Sequence, residues 1–113
     1  MVDSTKFLRK MVKVIIDRPM GSSHPVYGFM YPVNYGFIDG VKSPDGENLD
    51  AYILGIRRPL ETFEGECIAV IHRLDEDDDK LIVVPMNSMF SDEEIRALTE
   101  FQERFFKSTI IRS

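Results

Sequence analysis

The stretch Asp45-Gly46-Glu47-Asn48-Leu49-Asp50-Ala51-Tyr52-Ile53-Leu54 runs from a turn through spaced carboxylates into an apolar strand. Further on, Asp75-Glu76-Asp77-Asp78-Asp79-Lys80 repeats the arrangement and leads into Leu81-Ile82-Val83-Val84. Acidic runs at the ends of two neighbouring strands can converge on one point, and converging carboxylates cannot all stay ionised without cations between them. Hard divalent ions such as Mg2+ take oxygen ligands and usually keep several waters. The expectation is that the two negative loops face each other and hold Mg2+ for phosphoryl chemistry.

Working outward, Met11 to Ile16 is rich in β-branched residues and reads as a strand, ended by Asp17-Arg18-Pro19 because Pro19 has no N–H to donate. Gly21 to Pro25 is turn chemistry. From Val26 to Ile38, Tyr27, Phe29, Tyr31, Tyr35 and Phe37 fall at odd positions, which places them on one face of extended chain, with Pro32 and Gly36 interrupting any ladder. Leu49 to Ile56, Glu66 to His72 and Leu81 to Val84 read as further strands, with Glu61 to Gly65 as a turn. Ser91 and Glu94 fit a capping box. Ile95, Leu98, Phe101 or Gln102, and Phe105 then follow at helical spacing, predicting a helix over 92–107. The fold class is therefore β-rich α+β: a small antiparallel or mixed barrel, closed or partly open, with one long C-terminal helix. Residues 1–113 read as one domain, with 1–10 a short turn or a loose N-terminal arm.

Composition narrows the function classes. The 113 residues are 43% apolar and 29% charged, ordinary for a globular chain with a single core. A net charge of -5 argues against non-specific nucleic-acid binding, since no basic patch is available to neutralise phosphates. Cys67, the one cysteine, lies in an apolar run and reads as a buried hydrophobe. No apolar run approaches the ~20 residues that span a bilayer, and Met1 to Lys10 lacks a signal-peptide apolar core. A cytoplasmic protein with no membrane partner is the default expectation.

Phosphoryl transfer also needs cations or donors to meet the charge that develops on phosphoryl oxygens. Lys80, Lys107, Arg18, Arg57 and Arg73 are candidates, and Tyr35 could donate a hydrogen bond. His24 and His72 are not at zinc-ligand spacing, and neither a Walker-type glycine loop nor a nucleophile elbow is present.

Taken together, these blocks resemble the family I soluble inorganic pyrophosphatases. The resemblance rests on Tyr31-Pro32-Val33-Asn34-Tyr35-Gly36, on the Asp45–Ala51 heptad, on Asp75, Asp78 and Lys80 running into Leu81–Pro85, and on the helix ending Phe105-Phe106-Lys107. These keep the family's order over residues 31–107, and Val14-Ile15-Ile16-Asp17 is similar to its early strand and acidic residue. The resemblance implies an OB-like five-stranded barrel, a homo-oligomer, a cytoplasmic location, and hydrolysis of pyrophosphate to two phosphates with Mg2+, or Mn2+ in its place. It implies Asp17, Asp45, Asp50, Asp75 and Asp78 as metal ligands, with Asp77 or Asp79 as alternatives to Asp78. Lys80, Lys107 and Tyr35 would hold phosphate, and Glu47, Asp50 and Tyr35 would carry the catalytic roles.

The chain departs from that pattern in three places. Glu47 stands where the family has the aspartate assigned as general base, and Asn48 where it has proline. Phe106 replaces a phosphate-donating tyrosine. Between Pro19 and Tyr31 the family's longer hairpin, which carries a lysine, a glutamate and an arginine, is replaced by Met20–Met30, so Arg18 and His24 are candidates to fill part of the gap. Two other readings stand beside pyrophosphate hydrolysis: a hydrolase of another phosphoanhydride, and a catalytically silent metal- or phosphate-binding module.

Overall fold

Alternating aliphatic residues build six strands: β1 Met11–Arg18, β2 Asn34–Lys42, β3 Asn48–Ile53, β4 Thr62–Arg73, β5 Asp79–Val84 and β6 Ser108–Ile111. The structure, a computed structural model, describes residues 3–43, 46–76 and 78–113. Hydrogen bonding runs β1-β2-β3-β5-β4, and β4 pairs back onto β1, so five strands close into an OB-like barrel. Of these pairings only β3 with β5 is parallel. Strand β4 is long enough to serve three neighbours: its first half pairs with β1, its last four residues pair with β6, and β5 lies along its other edge.

Period-two alternation decides what each strand buries. Leu49, Ala51 and Ile53 of β3 and Leu81 and Val83 of β5 join Val12, Val14, Ile38 and Cys67 in the barrel interior. Tyr52, Leu54, Ile82 and Val84 point the other way, into a second core with Tyr31, Tyr35 and Ile95. Ile95 belongs to helix α1, Asp92–Glu103. The central strands are thus covered on both faces, which is why they read as near-continuous apolar runs. Burial pushes the Cys67 thiol up to about 11, so it packs as an inert hydrophobe.

Several local expectations shift. The capping box forms, with the Glu94 N–H donating to Ser91 Oγ at 3.1 Å and the Ser91 N–H to Glu94 Oε1 at 2.9 Å. The helix stops at Glu103, short of residue 107, and the chain turns into β6, a strand the periodicity does not announce. Its buried face is Ile95, Thr99, Gln102 and Glu103, while Leu98 and Phe105 are exposed, because polar groups of the barrel meet the helix there. Thr62 to Gly65 extends β4 where a turn was expected, since β1 supplies a partner for it. Residues 26–33 are irregular rather than a strand, tied back to 21–24 by the Ser23–Met30 bridge and by backbone hydrogen bonds such as Tyr31 N–H to the Ser22 carbonyl and His24 N–H to the Phe29 carbonyl.

Gly36 does not interrupt β2; it lets β1 approach. A Cβ placed there would lie 2.0 Å from the Ile15 carbonyl oxygen and 2.8 Å from its carbon, both backbone atoms that cannot swing aside. Gly36→Ala is expected to destabilise the fold by about 3 kcal/mol, the upper end for overpacking. The shift in urea midpoint at constant slope measures it.

Candidate active site

Strand parity places the first pair of functional side chains. Parallel register sets Asp50 opposite Lys80, and both share the outward, helix-facing parity of Tyr52 and Ile82. Lys80 Nζ donates to Asp50 Oδ2 and to Asp78 Oδ2, each at 2.8 Å. Its side chain is only 3% exposed, so the two carboxylates are what make a buried ammonium tolerable. The Tyr35 hydroxyl, from β2, donates to the same Asp50 Oδ2 at 2.9 Å. Burial and the Asp50 charge raise the Tyr35 pKa well above its usual value, so this hydroxyl keeps its proton and remains a donor.

Because β3 and β5 are parallel, the loops that precede them lie at the same end of the barrel. They touch: Ser43 Oγ accepts from the Asp79 N–H at 3.2 Å and lies 3.4 Å from Asp78 Oδ1. Of the two acidic runs, Asp50 and Asp78 meet on Lys80. Within the second run the directions separate. Asp78 turns to Lys80 and Arg73, whereas Asp79 pairs with His72 Nδ1 at 2.7 Å.

Arg73, at the end of β4, links this junction to the helix. Its Nε and one terminal nitrogen donate to the two Glu103 oxygens at 3.1 and 2.7 Å, and the other terminal nitrogen reaches Asp78 at 3.1 Å and Glu76 at 3.3 Å. The guanidinium also stacks 3.7 Å above the centroid of Phe106. Burial works against its charge, but Glu103 and Asp78 more than offset that and hold it protonated. Glu103 additionally accepts from the Tyr52 hydroxyl at 2.7 Å, and Gln102 bridges Tyr52 and Tyr31. Sequence periodicity names Arg73 only as one cation among several and gives Gln102 and Glu103 no polar task. The available signal was a Gln-Glu pair falling on the buried side of the helix.

Asp17 sits at a bulge in β1, between residues paired with Gly36 and Tyr35. The residue is exposed, yet partial burial of its carboxyl raises the pKa, with Arg18 opposing and the Asp50 charge adding to the rise. Arg18 itself donates to the Asp17 carbonyl at 3.0 Å. Glu47 is exposed one residue before β3, with its carbonyl accepting from the Ser43 N–H at 2.7 Å. Asp75 is exposed on the bend after β4, and Lys107 is exposed after the helix. Asp45 and Asp77 lie outside the described residues. Arg57 lines a separate groove with Met20 and Phe90.

The donor chemistry fits a hard divalent cation. Asp17, Asp50 and Asp78 offer the oxygen donors such a cation takes, while Lys80 pairs with Asp50 and Asp78 and Arg73 with Asp78. Among the described residues, no three His, Cys, Asp or Glu side chains already form a ligand cluster. Lys80 is the cation shared by Asp50 and Asp78.

Next to this junction opens a cleft of about 440 Å³, lined by His24, Tyr27, Phe29, Tyr35, Arg73, Lys80, Gln102, Phe105 and Phe106. The segment Met20–Met30 thus supplies rings to the cleft, with His24 Nδ1 accepting from the N–H groups of Val26 and Tyr27 at 3.1 Å each.

Comparison with known proteins bears on this arrangement. A family profile described as inorganic pyrophosphatase matches residues 6–110. The inorganic pyrophosphatase of Saccharolobus solfataricus is 34% identical over 96 residues, covering 67% of this chain and 56% of that protein. The inorganic pyrophosphatase of Neisseria meningitidis serogroup B is 27% identical over 118 residues, covering 86% of this chain and 66% of that protein. The chain therefore spans less than two thirds of the length of these curated relatives. Crystal structures of inorganic pyrophosphatases from Ehrlichia chaffeensis and Thermus thermophilus superpose with TM-scores of 0.69 and 0.68, each at 20% identity. The first covers 89% of this chain and 84% of that one, the second 98% and 86%. At such identity these two show a shared fold.

The Arg73–Glu103 pair gives a stability test. Removing one member strands a buried charge, so Arg73→Met is expected to cost about 3–5 kcal/mol. The double variant Arg73→Met with Glu103→Met is expected to regain more than half of that loss. Urea unfolding of the two variants and the parent measures both values.

Proposed function

The chain belongs to the inorganic pyrophosphatase family, and on that premise we propose that it hydrolyses inorganic pyrophosphate to two phosphates with Mg2+. Membership implies use of a divalent cation; the choice of Mg2+ rests on the all-oxygen donor set. The observation that carries the reading is the junction where Asp50 of β3 and Asp78, far apart in sequence, share the Lys80 ammonium beside Tyr35.

In this reading Asp17, Asp50 and Asp78, together with Asp45 and Asp75, hold the cation. When bound, it lowers the pKa of a water and offsets phosphate charge. The chain's own groups then divide the work. Glu47 takes the proton of the attacking water as oxygen adds to one phosphorus and the bridging P–O bond breaks. Lys80, with Lys107 and Arg18, meets the negative oxygens of the two product phosphates. Tyr35 orients Asp50 through its hydroxyl, and its raised pKa keeps that hydrogen bond in place across the working pH range. No helix among the described residues is long and apolar enough to cross a membrane; a cytoplasmic, single-domain homo-oligomer is the setting proposed for the enzyme.

Phosphate release from pyrophosphate, with Mg2+ and with excess chelator, tests the reading. Turnover is expected only with the metal, and its absence in Mg2+ would refute the assignment. Asp50→Asn is expected to lower metal-dependent turnover by about a hundredfold or more, measured at a temperature where the variant is folded, and to lower Tm as well, because Lys80 loses one of its two carboxylates. Wild-type turnover in that variant would place the site elsewhere. Glu47→Asp addresses the proton acceptor separately: the shorter side chain is expected to raise the rate, and an equal or lower rate would remove Glu47 from that role.

A further inference from the structure

Inorganic pyrophosphate is small and negatively charged all round, so rings do nothing for it. The cleft beside Lys80 is built largely of rings. At about 440 Å³ it falls within the roughly 300–1,000 Å³ of clefts that take a whole organic ligand. Lys80 and Arg73 make its polar floor, and aromatic side chains make its walls. Two of these stay open to solvent at the mouth, Tyr27 at 75% and Phe105 at 57% exposure. Their planes lie within 29° of parallel, with centroids 6.4 Å apart, and Phe29 backs Phe105 at 6.4 Å and 24°. The turn that carries Tyr27 is fixed by His24, whose ring lies 4.9 Å from the tyrosine ring and whose Nδ1 accepts the Tyr27 N–H. The exposed rings therefore form a held platform rather than two loose side chains. A flat heterocycle would cover them, and such stacking needs no particular base.

We propose that the cleft takes a nucleoside 5′-polyphosphate, with its base on Tyr27 and Phe105 and its phosphoanhydride toward Lys80. The placement of the anhydride rests on the hydrolytic reading above; the base platform does not. The reaction is the same hydrolysis: water oxygen bonds to the terminal phosphorus, the bridging P–O bond breaks, inorganic phosphate forms, and the shortened nucleotide leaves. The water proton passes to a carboxylate of the site.

Calorimetric titration of the full chain in Mg2+ tests this with two non-hydrolysable probes, methylenediphosphonate and α,β-methylene adenosine 5′-diphosphate. The nucleotide analogue is expected to bind about tenfold more tightly, the advantage of one stacked base. Tyr27→Ala and Phe105→Ala are each expected to lower the ratio of the two dissociation constants by about threefold or more, and Tyr27→Phe to preserve it. A ratio at or below one in the parent chain, or a ratio that Tyr27→Ala leaves in place, overturns the proposal. Using a ratio cancels any general loss of folded protein. Parallel phosphate-release assays separate the two readings. A preserved ratio without pyrophosphate turnover removes the catalytic reading and keeps the nucleotide one, whereas turnover with a ratio of one does the reverse.

Discussion

The site depends on one buried ammonium. Lys80 is almost fully enclosed, and a lone charge in that position would be strongly unfavourable. Two carboxylates at 2.8 Å make it stable, and they come from distant segments: Asp50 within β3 and Asp78 just before β5. The single parallel pairing in the barrel brings them together, because it sets Asp50 beside Lys80 and puts both preceding loops at one end. An antiparallel pairing of the same strands would have sent one acidic run to the far end of the barrel.

From this junction a polar network continues inward. Arg73 ties Asp78 to Glu103, Glu103 receives the Tyr52 hydroxyl, and Gln102 joins Tyr52 to Tyr31. The helix is thereby held to the barrel by hydrogen bonds and an ion pair as well as by apolar contact. Such a network has a directional consequence that a greasy face lacks. Each donor accepts only a narrow range of partner positions, so the helix is fixed in rotation as well as in distance. Its C-terminal end then delivers Phe105 and Phe106 to the cleft. Phe106 stands where the resemblance places a phosphate-donating tyrosine, and it is used instead as a surface for the Arg73 guanidinium. Ring contact there replaces a hydroxyl, in keeping with a cleft whose walls are aromatic.

Much of the fold was legible from short-range pattern. β-branched runs marked the strands of the barrel, Ser91 and Glu94 marked the start of the helix, and the acidic runs before Ala51 and Leu81 marked the strand ends that converge. The misreadings share a cause. Apolar spacing alone predicts a helix to residue 107 with an apolar face, because Leu98 and Phe105 recur at the right interval. Yet the buried positions include Thr99, which donates to the Ile95 carbonyl of its own helix, and Gln102 and Glu103, whose partners lie on β3 and β4 or just before β2. Thr62 to Gly65 looked like a turn until β1 supplied its ladder, and β6 is a strand only because the edge of β4 is open beside it.

The sequence by itself determined which residue types were available and where the chain could extend, turn or coil, since those preferences act over a few neighbours. It also determined that carboxylates would gather near two strand ends. Only the tertiary structure decided which charges meet: that Asp78 faces Lys80 while Asp79 faces His72, and that Arg73 is spent on Glu103. Those choices depend on strand register and parity, where a shift of one residue moves a side chain to the opposite face. Register is settled by pairing between distant segments.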